Sequence, residues 1–234
     1  MNLSDLCRYK RICIQCHDQP DADALASGYA LWRYFSEAGC EATLLYGGKH
    51  DISKPSLRKM CENFEIPVEH AKKLPDCDLL VTVDCQYGEA NVECLPCAVQ
   101  PQIAIIDHHV TELENSEFVQ ITSCLGSCST VVWELLKQAP SFEPDKSVMT
   151  ALYYGLYCDT CEFKELFHPK DRDMRDDLSI NRYAFLELVI LFPSFFWCSG
   201  IINVCPRRIK KLKHSRDNLY ISRNDEHYPK KSIS

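Results

Sequence analysis

Three short apolar runs, each leading directly into an acid or an imidazole, constrain this chain more than anything else in it. RICIQC (11–16) runs into His17, while DLLVTVD (78–84) and QIAIID (102–107) end on their own aspartates. Apolar runs of this length fit strands of a parallel sheet covered on both faces. In an open α/β sheet the carboxyl ends of the strands line the crevice where ligands bind. The segment His17-Asp18-Gln19-Pro20-Asp21-Ala22-Asp23, Asp84, and the triplet Asp107-His108-His109 are therefore expected to meet there, although about 90 residues separate the outer clusters.

Between the runs, apolar residues take helical spacing. Over 23–38 they fall at Leu25, Tyr29, Leu31, Trp32 and Phe35, as one helix face requires. ATLLY (42–46) reads as another strand, closed by Gly47-Gly48, and 54–63 as a short helix before Pro67. A strand is predicted at 118–121, then helices over 127–138, with Ser127 or Ser129 as N-cap, and over 147–159. Residues 171–191 start charged and become apolar at Tyr183, Phe185, Leu186, Val189 and Ile190, which predicts one more helix packed by a single face. This alternation predicts an α/β fold with a doubly wound, mostly parallel sheet and helices on both faces. From Pro193 the pattern fails, so residues 1–192 are read as one domain and 193–234 as a basic tail, poorly structured or the remnant of a second domain.

Charge is unevenly placed. Of 26 Lys+Arg and 33 Asp+Glu, residues 201–234 carry 9 and 3, making the tail net +6 and residues 1–200 net −13. An acidic body argues against binding a long duplex, which needs an extended basic face, and leaves room for a short nucleotide held through metals. The 15 cysteines are scattered through predicted strands and helices, the pattern of reduced thiols in a cytosolic protein. Cys13/Cys16, Cys94/Cys97 and Cys158/Cys161 have CxxC spacing. The first pair lies in a strand, where residues three apart face opposite sides, and no zinc site is expected. Residues 1–7 do not read as a secretory leader, and the longest apolar run, 186–196, is broken by Glu187 and Pro193. A cytoplasmic protein that does not span a membrane is the expectation; oligomeric state is left open.

The expected crevice would hold His17, Asp21, Asp23, Asp84, Asp107, His108, His109 and Asp159. Carboxylates gathered that closely cannot all stay ionised without compensation, by raised pKa values or bound cations. Asp159 closes a predicted helix, an unfavourable place for a carboxylate against the helix dipole, and a nearby cation accounts for it. Mixed carboxylate and imidazole ligands without thiolate suit Mn²⁺ first, or Mg²⁺, with Fe²⁺, Co²⁺ or Zn²⁺ as alternatives. Two such ions about 3.5–4 Å apart lower the pKa of water and clamp the attacking and leaving oxygens of a phosphoryl group, which is the chemistry of phosphoester hydrolysis.

The segment H-x-x-P-D-x-D-A from His17 to Ala24, Asp84 at its strand end, Asp107-His108-His109, and Gly155-Leu-Tyr-Cys-Asp159-Thr160 resemble the four motifs of the DHH phosphoesterases, in order and spacing. The resemblance covers roughly residues 8–190 and implies the N-terminal DHH domain. It implies one metal on His17, Asp21 and Asp84, and a second on Asp23, Asp84, His108 and Asp159, with Asp84 bridging. His109 would contact the scissile phosphate or stabilise leaving-group charge, and Asp107, counted with Asp84, His108 and His109 in the catalytic set, would orient its neighbours by hydrogen bonds. Asp18 stands where the family often has asparagine, adding negative charge beside the phosphate, and Ala22 where it often has glycine.

Most DHH hydrolases close the crevice with a glycine-rich C-terminal substrate domain, and residues 193–234 do not read as one. The resemblance implies a two-metal, Mn²⁺-dependent phosphoesterase acting on short oligonucleotides or nucleotides such as pApA and 3'-phosphoadenosine 5'-phosphate. A family II-like inorganic pyrophosphatase and a RecJ-like exonuclease share the metal motifs. A DHH domain that binds metal and nucleotide with little turnover is the rival of another class.

Overall fold

The computed structural model describes residues 1–139 and 141–179. Among these, the chain runs α1 (Leu3–Leu6), β1 (Arg11–Cys16), α2 (Ala22–Glu37), β2 (Glu41–Tyr46), α3 (Pro55–Phe64), β3 (Val68–His70), β4 (Leu79–Val83), β5 (Gln102–Asp107), β6 (Val119–Ile121), α4 (Cys128–Lys137), α5 (Lys146–Asp159) and α6 (Pro169–Ser179). The strands form one sheet in the order β3-β2-β1-β4-β5-β6, and every pair is parallel. Order reverses between β1 and β4, which makes their carboxyl ends the switch point where a doubly wound sheet opens a crevice.

Register decides what reaches that crevice. β1 pairs with β4 as Gln15↔Thr82, and β4 with β5 as Val83↔Ile106. Continuing both ladders to the strand ends brings His17, Asp84 and Asp107 to one level on three adjacent strands.

Alternation assigns the two faces. A side chain at Gly28 of α2 would meet Leu44 Cδ1 at 2.7 Å, Cys16 Sγ at 3.1 Å and Val83 Cγ1 at 3.6 Å, so α2 lies on the face carrying those residues. The opposite face carries Cys13, Leu45 and Leu80, closed by Leu74 and Leu95 from the connections after β3 and β4. Sandwiched so, β4 is buried at all five positions, the reason its sequence is an unbroken apolar run.

Helix α2 starts where Asp21 Oδ1 accepts from the N–H groups of Asp23 and Ala24, at 2.9 and 3.1 Å. An aspartate N-cap satisfies donors that the helix itself leaves unpaired. Small residues let it approach closely on two sides, Gly28 against the sheet and Ala26 toward Gly155 of α5. It ends at Ala38, with Gly39 at φ +83°, the left-handed position that glycine fills without strain.

The predicted strands at 42–46 and 118–121 and the helices at 54–63, 127–138 and 147–159 correspond to β2, β6, α3, α4 and α5 within two residues. Ser127, rather than Ser129, caps α4, accepting from the Thr130 N–H. Four-residue α1 and three-residue β3 are too short to leave a periodic signal. Of the helix predicted over 171–191, the part through Ser179 is α6; its apolar positions 183–190, the 186–196 run and the 193–234 tail lie outside the described residues. Among the described residues, no helix is long and apolar enough to cross a membrane.

Candidate metal centre

Asp84 is the first residue past β4, and its backbone sits at φ +59°. That left-handed conformation is unfavourable by about 1–2 kcal/mol for an L-residue, with aspartate among the few that tolerate it. The Asp84 N–H still donates to Ile106 O at 3.0 Å, so the ladder to β5 holds while the chain turns. The residue is 3% exposed.

Around Asp84 the structure gathers His17 from the end of β1, His108 and His109 from the end of β5, Asp21 and Asp23 from the start of α2, and Asp159 from the last turn of α5. His17 Nε2 lies 3.8 Å from Asp84 Oδ2. His108 Nε2 lies 3.3 Å from Asp84 Oδ1, 3.3 Å from Asp159 Oδ2 and 3.9 Å from Asp23 Oδ2. The ligand atoms fall into three sets, each within 4.8 Å: His17, Asp21, Asp84; Asp23, His108, Asp159; and Asp84, His108, His109. No cysteine belongs to these sets.

Two atoms here carry the metal argument. Asp84 Oδ1 and His108 Nε2 are both buried without a hydrogen-bond partner among the described residues, and their 3.3 Å approach does not form a hydrogen bond between them. Buried polar atoms almost always make hydrogen bonds, so a facing pair that meets only by charge, amid further carboxylates, marks a place for a bound group that protein atoms do not provide. A divalent cation fits the donor set: hard oxygens and imidazole nitrogens.

The electrostatics agree. Burial and the charge on Asp21 hold the Asp84 carboxyl above its ordinary pKa. Burial and the charges of Asp84 and Asp21 push Asp159 up to about 6. Burial opposes the charged form of His108, yet Asp84, Asp23 and Asp159 lift it to about 10. Without a metal, a proton on His108 compensates the carboxylates.

Asp23 is held differently. It is 1% exposed and faces the N-terminus of α4, where its Oδ2 accepts from the Cys128 N–H at 2.6 Å and its Oδ1 from the Ser129 N–H at 2.9 Å and the Ser129 hydroxyl. A helix N-terminus favours an anion, and here the anion is a side chain of the protein itself. Ser129 thus joins the site in a way its sequence position concealed. Gly155 of α5 faces the same spot: a side chain there would collide with the Ser129 hydroxyl and meet Asp23 Oδ1 at 2.9 Å.

Asp107 is fully buried and works from below. Its Oδ1 accepts from the His109 Nδ1–H at 2.8 Å and from the N–H groups of His108 and His109, and its Oδ2 from Gln86 at 2.9 Å. Burial would raise its pKa, but His109 and Gln86 hold it below the ordinary carboxylate range. His109 shifts upward on the same hydrogen bond. Gln86, itself held by the Thr111 hydroxyl at 2.7 Å, had no sequence signal. His108 donates from Nδ1 to Leu125 O at 3.2 Å, which leaves Nε2 for the carboxylates. Asp18 is engaged too: its carboxylate accepts from the Glu93 N–H at 2.8 Å.

The model of the DHH family's N-terminal domain matches residues 11–156. The chain belongs to the DHH family. The chain is 26% identical over 156 residues to an uncharacterized protein of Methanocaldococcus jannaschii, an alignment covering 65% of this chain and 31% of that protein. The chain thus matches only about a third of that relative's length. Among solved structures, an exopolyphosphatase-related protein from Bacteroides fragilis superposes with a TM-score of 0.60 at 15% identity, covering 88% of this chain and 61% of that one. A Methanococcus jannaschii protein described as a putative family II inorganic pyrophosphatase gives 0.54 at 21% identity, covering 77% and 61%. These two likenesses establish the shared fold. The DHH triplet of the family name is Asp107-His108-His109 here, at the end of β5.

Proposed function

We propose that this DHH domain is a cytoplasmic, metal-dependent phosphoesterase, with two Mn²⁺ ions, or Mg²⁺ or Co²⁺, in the crevice. The observation that carries this reading is the facing pair of buried atoms without hydrogen bonds, Asp84 Oδ1 and His108 Nε2. His17, Asp21 and Asp84 would hold one ion, and Asp23, Asp84, His108 and Asp159 the other. When bound, such ions lower the pKa of water and neutralise charge developing on a phosphoryl group.

The protein's own contribution is position. Asp23 is fixed by the α4 N-terminus, His108 by Leu125 O, and His109 by Asp107. With Nδ1–H given to Asp107, the His109 ring is held at the mouth, its side chain 58% exposed, where the second nitrogen can meet a phosphate oxygen.

Beside His109 opens a cavity of about 610 Å³ with Gln86, Tyr87, Asn91, Val110, Thr111 and Leu113 in its lining. Among the described residues, its only charged side groups besides the centre's own are Glu89 and Glu112, so amide, hydroxyl, aromatic and apolar surface predominates. That volume is within the range of small-ligand sites, and the mixture suits a nucleoside better than a bare phosphate chain. The reading therefore favours a short oligonucleotide or nucleotide as substrate.

The test is phosphate or nucleotide release with Mn²⁺ across pApA, 3'-phosphoadenosine 5'-phosphate, pyrophosphate and a single-stranded oligonucleotide, with chelated protein as control. Metal-dependent turnover of one of the nucleotide substrates is expected. Turnover of pyrophosphate alone would move the assignment to a pyrophosphatase, and metal binding without turnover to a binding module.

A further inference from the structure

On the His17 side of the crevice lies a second cavity of about 400 Å³, with Gln19, Pro20, His50, Ser53, Lys54 and Arg58 in its wall. Gln19 and Pro20 sit between His17 and Asp21 in the chain, so the cavity borders the loop that brings two of the centre's side chains. The two cavities differ in charge: among the described residues the first has no lysine or arginine in its lining, whereas this one has both, plus a histidine.

The local structure here is unfavourable in a telling way. Helix α3 begins at this cavity with Lys54 as its N-cap, no capping side chain and no acid in its first turn. Lysine at a helix N-terminus opposes the helix dipole, which favours negative charge. Arg58 adds a second cation one turn on, its Nε fixed by Ile52 O at 2.8 Å. The acid in the lining, Asp51, is occupied by His70 Nδ1 at 2.7 Å, and His70 Nε2 also contacts Gly48 O at 2.9 Å. Tyr46 stacks on His70 at 4.7 Å and accepts from the Ile52 N–H at 3.2 Å. The loop is thus pinned from several sides, holding cations against a helix end that has no anion of its own. Local conflicts of this kind gather at functional sites, where a ligand supplies the missing compensation.

We infer that this pocket is a subsite for a second, non-reacting phosphate group of the substrate. It rests on the phosphoesterase reading and sharpens it: the reacting phosphate of the substrate would lie at the metal centre and its second phosphate at Lys54 and Arg58. Substrates with two or more phosphates gain from the pocket, and single phosphodiesters do not.

The experiment compares adenosine 3',5'-bisphosphate with bis(p-nitrophenyl) phosphate on the full chain in Mn²⁺, for the parent, Lys54→Ala and Arg58→Lys. Lys54→Ala is expected to raise KM for the bisphosphate about tenfold more than KM for the single diester, the loss of one charge-assisted contact, with Arg58→Lys close to the parent. Because Lys54 opposes the helix dipole, the ligand-free variant should melt no lower than the parent, which a structural role for Lys54 would not allow. An unchanged KM ratio in folded Lys54→Ala overturns the subsite. If the parent turns over neither of these, nor pApA or a single-stranded oligonucleotide, the phosphoesterase reading fails separately. The subsite is then decided by calorimetric titration of the metal-free chain with inorganic tripolyphosphate. Binding weakened about fivefold or more by Lys54→Ala supports it, and equal binding, or none in the parent, contradicts it.

Discussion

Asp23 and Asp84 are both buried carboxylates in one crevice, yet the protein treats them oppositely. Asp23 is surrounded by donors: two amides at the start of α4 and a serine hydroxyl. Asp84 sits on a left-handed backbone, with one oxygen that makes no hydrogen bond and faces an imidazole nitrogen that makes none either. The donors of the first are in place without a ligand, although burial and the charges of Asp84 and Asp159 push its pKa well up as well, whereas the second leaves an oxygen without a hydrogen bond. In the proposed centre, the fold would position one ligand through its own hydrogen bonds and leave the charge of the other to a cation.

Asp84→Asn separates the two most sharply. It is expected to lower metal-dependent turnover about 10³-fold or more, as loss of a shared ligand would. The melting temperature of the chelated protein should stay level or rise, because a buried, repelled charge has been removed.

Asp23→Ala should do the reverse to stability. It strands the Cys128 and Ser129 donors, and unfolding of chelated protein is expected to become easier by about 2–3 kcal/mol, read by denaturant titration. Equal effects of the two substitutions on the chelated form would erase the distinction.

Gln86→Leu tests the support beneath the histidines. It removes the donor to Asp107 Oδ2, and about a tenfold to hundredfold loss of turnover is expected, with the unfolding midpoint less affected.

The smallest effect is on pH. His108 is raised from 6.5 to about 10, so its contribution to the stability of the chelated protein is fully present below pH about 6.5 and is lost as pH rises through about 10. Metal binding requires His108 without its proton, so the stabilisation conferred by Mn²⁺ should grow over the same interval. Melting curves at pH 6.5 and 8.5, with Mn²⁺ and with chelator, show whether the two trends diverge.

Much of this centre is legible in the sequence because its elements are local signals. An apolar run ending in an acid marks a strand and its crevice end together, and that pattern alone puts His17, Asp84 and Asp107 at the crevice. Asp21 is legible twice, as a motif residue and as a helix N-cap. Other parts are not local. Ser129 reaches Asp23 across more than a hundred residues, and Gln86 reaches Asp107 from a neighbouring strand end. Serine near a helix start reads equally as a cap or a donor, and the structure divides these roles between Ser127 and Ser129. Gly155 carries a packing requirement that appears only when α5 meets α2 and α4. The pocket at Lys54 is hidden for a similar reason, since its cations come from a loop and a helix that the sheet brings beside the His17 segment.

In the proposed centre, Asp84 and His108 face each other across a metal position. Calorimetric titration of Mn²⁺ into the full chain at pH 7.5, in two buffers of different ionisation enthalpy, tests it most directly. The account predicts binding that releases about one proton, from His108, and that is lost or greatly weakened in Asp84→Asn. Absence of binding, or binding without proton release that Asp84→Asn leaves intact, would contradict it.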